Sequence, residues 1–125
     1  MAKSLADIKR AQKESLLLRE LSNFYLRITM DDDRLKDITL NRVKLSKDKS
    51  MCTLFFFSTQ GVEHFEKTLP FLILYKPSMR KALAQSINAR YTPQLVFKYD
   101  APFEKHLQID ALLDQLKTDE QEDGD

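Results

Sequence analysis

Pro77 stands between two stretches whose apolar residues recur at helical spacing. Val62, Phe65, Leu69, Leu72 and Ile73 precede it, and Met79, Leu83, Ala84 and Ile87 follow it. Proline donates no backbone hydrogen bond and its ring crowds the preceding turn, so a helix tolerates it best in the first turn. One continuous helix is therefore disfavoured. The spacing predicts two helices joined by a bend over Tyr75–Ser78, the second starting near Pro77. Pro70, inside the first stretch, predicts either a kink or a late start there.

The flanks set the remaining order. Ser4 followed by Asp7 approximates a capping box, and Leu5, Ile8, Leu17, Leu21, Phe24 and Ile28 then recur at helical spacing with no Gly or Pro between them. Asp31, Asp32 and Asp33 break that pattern, because short carboxylates favour turns and caps. "ITLNRVKLS" alternates imperfectly, with Ile38, Leu40, Arg42 and Lys44 on one face and Thr39, Asn41, Val43 and Leu45 on the other. "KDKS" supplies a turn, and "MCTLFFFST" returns as an apolar strand whose Phe55, Phe56 and Phe57 need cover on one face and shielding on the other. Pro93 opens a third strand, with Leu95, Phe97 and Tyr99 alternating against Val96 and Lys98. Asp100 caps a last helix that has Pro102 in its first turn and Ile109, Leu112, Leu113 and Leu116 as its expected buried face. The order is α-β-β-α-α-β-α, a single α+β domain.

Net charge names no partner, since 20 Lys and Arg oppose 19 Asp and Glu; the distribution does more. The last eight residues, "TDEQEDGD", carry five acids and no base, and read as an acidic disordered tail over 118–125. Residues 1–117 then form a cationic body suited to polyanions. Cys52 is the only cysteine, so no intramolecular disulfide forms, which suits a reducing cytosol. No leader-like apolar core and no run of about 18–20 apolar residues is present, so a cytoplasmic protein with no membrane partner is expected.

Catalysis finds no constellation. Gly61 and Gly124 are the only glycines, too few for a phosphate loop or a dinucleotide fingerprint. His64 and His106 stand apart without a motif, and His106 shares a helical face with Ile109 and Leu113, as a partly packed histidine would. The three aspartates lack further ligands nearby and have Arg34 beside them, so neither metal nor cofactor is expected. Cys52 reads as a small buried hydrophobe. Lys9, Arg10, Lys13 and Arg19 on the first helix form either a solvated face or one that meets nucleic acid. Lys76, Arg80 and Lys81 follow the bend, Arg90 precedes Tyr91, and Lys98 precedes Tyr99. Such cations, with the free N–H groups of a helix starting near Pro77, can hold phosphates.

Several motifs in order resemble the bacterial ribosome-binding factor A family, from about Leu5 to Leu116. "DDDRL" resembles the family's Asp-Pro-Arg-Leu, with Asp33 in the place of proline. "VKLSKDKS" resembles its strand-and-turn signature through Val43, Ser46 and Asp48. Arg80, then Arg90, Pro93, Leu95, Phe97 and Asp100 match its Arg followed by Arg-x-x-Pro-(Glu)-Leu-x-Phe-x-x-Asp, with Gln94 replacing the acid. The resemblance implies a type II KH-like domain, helix-strand-strand-helix-kink-helix-strand, with a C-terminal helix. Related RNA-binding domains carry a Gly-x-x-Gly loop, which this family replaces by a kink containing Ala-x-Gly; here Tyr75, Lys76 and Pro77 occupy it.

The resemblance further implies an assembly factor without catalysis, whose partners are the small ribosomal subunit and 16S rRNA; nothing in the sequence demands more than a monomer. It would assist late maturation, including 5′-end processing, and growth in the cold. The expected RNA contacts are Lys76, Ser78, Arg80, Lys81 and Arg90, with Arg42 and Lys44 of the first strand. Arg90 could instead pair with Asp100 or cap a helix. A protein–protein adaptor on the same scaffold, with no rRNA contact, is the alternative, and a small nuclease or other enzyme with metal-dependent turnover the third choice.

Overall fold

The computed structural model describes residues 4–87 and 92–123. Helix α1 (Leu5–Asp31) leads through a 3-10 turn at Asp33–Leu35 into strands β1 (Ile38–Leu45) and β2 (Met51–Ser58). Helices α2 (Val62–Ile73) and α3 (Lys76–Ile87), strand β3 (Gln94–Tyr99) and helix α4 (Ala101–Asp123) follow. The two-helix reading of the Pro77 region holds: α2 and α3 are separate, and Pro77 sits in the first turn of α3. Of the two outcomes left open for Pro70, a late start is excluded. Helix α2 begins at Val62, behind Gly61, and carries Pro70 inside. Gly61 enters the helix at φ 92°, where a side chain would strain the backbone.

Strand order is β1-β2-β3, with β1 antiparallel and β3 parallel to β2. Helices α2 and α3 form the crossover that a parallel neighbour requires. Their apolar residues and those of α1 meet on one sheet face: Leu17, Leu21, Tyr25 and Ile28 of α1, Phe65 and Leu72 of α2, Met79 and Leu83 of α3. Each large side chain so buried contributes about 1.5–3 kcal/mol. Phe56 is the hub, with Tyr25, Phe65 and Phe97 rings at 5.5, 6.2 and 5.2 Å. Tyr25 is buried and donates its hydroxyl to the carbonyl of Ile38 at 2.7 Å, tying α1 to the start of β1. Cys52 is fully buried, as expected.

The face assignment along β1 needs correction. The register passes from Leu40 opposite Phe56 to Arg42 opposite Phe55, so Asn41 is an extra residue at a β-bulge. That extra residue inverts the alternation. Ile38, Leu40, Val43 and Leu45 all face the core, while Thr39, Arg42 and Lys44 face outward.

The expected buried face of α4 is also corrected. Ile109, Leu112, Leu113 and Leu116 are 47%, 58%, 50% and 52% exposed. Asp100 caps the helix as anticipated, accepting from Phe103 N at 3.2 Å, and Phe103 meets the Phe57 ring at 5.1 Å. Helix α4 then runs off the sheet, and among the described residues its stripe stays about half exposed. His106 shares this fate: its side chain is 70% exposed and faces Asp110 at 3.4 Å, not a packed neighbour.

Candidate nucleic-acid interface

The bend between α2 and α3 is short because only Leu74 and Tyr75 lie between them. Tyr75 N donates to Leu72 O at 3.1 Å, and Met79 N donates to Tyr75 O at 2.9 Å, so one residue closes the first helix and opens the second. Its side chain reaches back across the fold. The Tyr75 hydroxyl donates to Asp32 Oδ2 at 2.7 Å, and Arg34 grips the same carboxylate with Nε to Oδ1 at 2.9 Å and Nη2 to Oδ2 at 2.7 Å. The Arg34 guanidinium lies 4.3 Å from the centre of the Phe71 ring on α2. Asp32 also caps the 3-10 turn through Arg34 N. These donors, Arg34 first and Tyr75 second, hold the Asp32 carboxyl far below the usual carboxylate range. Tyr75 is therefore the pin of the junction. Alanine or glycine there could not make this contact.

Helix α3 starts at that pinned junction, where the positive end of its dipole lies beside exposed Pro77 and Ser78. Ser78, Arg80 and Lys81 are exposed on its first turns, and Lys76 is half-buried with its ammonium 5.1 Å from the Phe97 ring centre. Arg80 has a second task. It donates from Nη2 to Thr92 O at 3.1 Å and from Nε to Pro93 O at 3.4 Å, tying α3 to the segment before β3. A guanidinium has five donors, so others remain for a phosphate.

The seven residues singled out from the sequence do not all converge. Lys76, Ser78, Arg80 and Lys81 share the start of α3, whereas Arg42 and Lys44 lie on the sheet face opposite α1, α2 and α3. Arg90 falls outside the described residues. Arg42 is strongly engaged: Nε meets Asp100 Oδ2 at 2.8 Å, Nη2 meets Oδ1 at 3.2 Å, and the guanidinium covers the Phe55 ring at 4.0 Å. Asn41 Nδ2 donates to Asp100 Oδ2 at 2.8 Å, so the bulge aims two adjacent side chains at one carboxylate. Asp100 is fully buried, and burial pushes its carboxyl up. Arg42, Asn41 and Phe103 N outweigh that and hold it below its ordinary value.

Sequence reasoning missed the Tyr75–Asp32–Arg34 contact and the Asn41–Arg42–Asp100 cluster. A signal existed for each: a bulky phenol in a kink, and an imperfect alternation at Asn41. Among the described residues no three His, Cys, Asp or Glu side chains gather as a metal cluster. No helix there is long and apolar enough to cross a membrane.

Against known proteins, residues 9–113 match the family model described as ribosome-binding factor A. A ribosome-binding factor A of Geotalea daltonii is 30% identical over 117 residues, 94% of this chain and 95% of that protein. The crystal structure of ribosome-binding factor A from Thermus thermophilus superposes with a TM-score of 0.61 at 28% identity, covering 72% of this chain and 94% of that one. Thermus thermophilus ribosome binding factor A fitted into the cryo-EM map of a 30S complex gives 0.53 at 27% identity, over 69% and 89% of the two chains. The fold is the KH-like α+β arrangement of these structures, and the chain belongs to the ribosome-binding factor A family.

Proposed function

We propose that this protein is a ribosome-binding factor that associates with the small ribosomal subunit in the cytoplasm. It assists late maturation of 16S rRNA, including 5′-end processing, as a stoichiometric monomer without catalysis. The observation that carries this reading is the pinned α2–α3 junction, which presents Ser78, Arg80 and Lys81 around the start of α3 where a KH domain meets nucleic-acid backbone. The 30S complex of the Thermus thermophilus relative supports the choice of partner. In this mechanism the cations neutralise rRNA phosphates and hold an immature helix junction until processing is complete. Counterion release then makes binding salt-dependent.

Sucrose-gradient sedimentation with small subunits at low and high salt tests it. Wild-type protein is expected to co-sediment at low salt and to dissociate as salt rises. R80E/R90E and K81E are expected to stay at the top of the gradient while remaining folded. Unchanged co-sedimentation of both variants overturns the site. Normal 16S 5′ ends in cells lacking the protein overturn the processing role.

The adaptor reading has one observation in its favour, the exposed stripe of Ile109, Leu112, Leu113 and Leu116 on α4. An adaptor would bind its partner with little salt dependence, and the same gradient distinguishes it.

A further inference from the structure

Every buried residue of α1 lies at Leu17 or beyond, so its first turns overhang the sheet. The β1–β2 turn rises beside them, and Glu14 Oε2 accepts from Leu45 N at 2.8 Å to hold helix and hairpin together. Leu5, Ala6, Lys9 and Arg10 of α1 and Lys47 and Lys49 of the turn line a cleft of about 390 Å³ between them.

The turn is built to expose its lysines. Asp48 Oδ1 accepts from Ser46 Oγ at 2.7 Å, Ser50 Oγ at 2.7 Å and Ser50 N at 3.1 Å, which lower its pKa to about 2 and turn that oxygen into the turn rather than toward the lysines. Lys49 adopts φ 63°, a left-handed conformation in which glycine or asparagine is at ease and a lysine is strained. Strain retained at one residue points to a use for its side chain. Of the acids nearby, Asp7 is engaged by Arg10 at 3.0 Å and feels Lys47 only as a more distant charge. Among the described residues Lys9, Lys47 and Lys49 have no carboxylate within ion-pair distance.

We infer that this cleft is a second phosphodiester-backbone site, which grips RNA at the end of the molecule away from the Tyr75–Asp32 pin. Lys9, Lys47 and Lys49 line the cleft together with Leu5, 67% exposed, an apolar wall for a ribose or base to lie against. Charge complementarity selects a polyanion, and the apolar wall favours a nucleic acid strand over a bare inorganic anion. From Lys9 to Asp32 the helix rises roughly 35 Å. One RNA held at both the cleft and the start of α3 is therefore bound bivalently, and the second contact multiplies the affinity of the first. The inference extends the RNA-binding reading above but depends on different residues, so the two can fail separately.

Fluorescence anisotropy with a labelled single-stranded oligoribonucleotide, titrated across salt concentrations, tests it. For K47E/K49E the slope of log K against log salt is expected to become shallower by about 1.5, with a tenfold or greater loss of affinity at low salt. K49G relieves the backbone strain, so its melting temperature is expected to rise while its slope becomes shallower by about 0.7. Wild-type affinity and slope in both folded variants overturn the cleft. Loss in these variants with wild-type binding by R80E/K81E supports the cleft and removes the α3 site. The reverse pattern removes the cleft and leaves α3.

Discussion

Replacing Arg42 by methionine keeps a long side chain over Phe55 and removes the charge that faces Asp100. Removing one partner of a fully buried ion pair costs about 3–5 kcal/mol. Asp100 is fully buried, but the Arg42 side chain is 45% exposed. Water screens that half of the pair, and about 2 kcal/mol is the expected loss. For a chain of this size each kcal/mol lowers the melting temperature by about 3–6 °C, so R42M should melt about 6–12 °C below wild type near pH 7. Asp100 also sets the pH dependence. A carboxyl whose folded pKa lies below its unfolded value, about 3.9, adds stability above that value and loses it as pH falls through the folded pKa. Without Arg42 the upward push of burial loses its main opponent, and the variant binds a proton at higher pH. The gap between wild type and R42M should therefore be widest near neutrality and close below about pH 4. Thermal melts followed by circular dichroism across that range measure it. A gap that does not change with pH would assign the loss to packing on Phe55; no gap at all would refute any stabilising role for the pair.

Three further outcomes are expected. Y75F removes the hydroxyl that reaches Asp32, so amide hydrogen exchange should accelerate at the α2–α3 junction while the strands stay protected; unchanged exchange there refutes the pin. The Cys52 thiol, pushed up to about 12 by burial and then by Glu14, should resist a thiol reagent in the native protein and react on unfolding. Rapid native labelling would contradict its burial. L112S/L113S should change stability by no more than about 0.5 kcal/mol, because both side chains are already half in water; a loss above about 2 kcal/mol in denaturant melts would restore the buried-face expectation.

Local rules carried the sequence reading far where an effect stays within a few residues. Pro77 separates α2 from α3 because a missing N–H and a crowding ring act on the adjacent turn. Ser4 accepts from Asp7 N, and Asp100 accepts from Phe103 N, because capping spans only three residues. Where the outcome hung on a distant partner, the same reading failed. The leucines of α4 have a helical spacing that looks buried, but among the described residues they stay about half exposed. Lys76, Ser78, Arg80, Lys81, Arg42 and Lys44 are all cations or polar side chains in the sequence. Only the fold sends Arg42 and Lys44 to the far face of the sheet and binds Arg42 to Asp100.

The sequence alone determined the order of elements, the family and the general place of the cationic junction, since these follow from periodicity, proline positions and motif spacing. Tertiary structure decided the rest. It placed an extra residue at Asn41, which turned Val43 and Leu45 inward, and it joined Tyr75 to a carboxylate 43 residues away. It also brought Lys47 and Lys49 against Lys9 and Arg10. Such contacts depend on how elements pack, which no local pattern encodes.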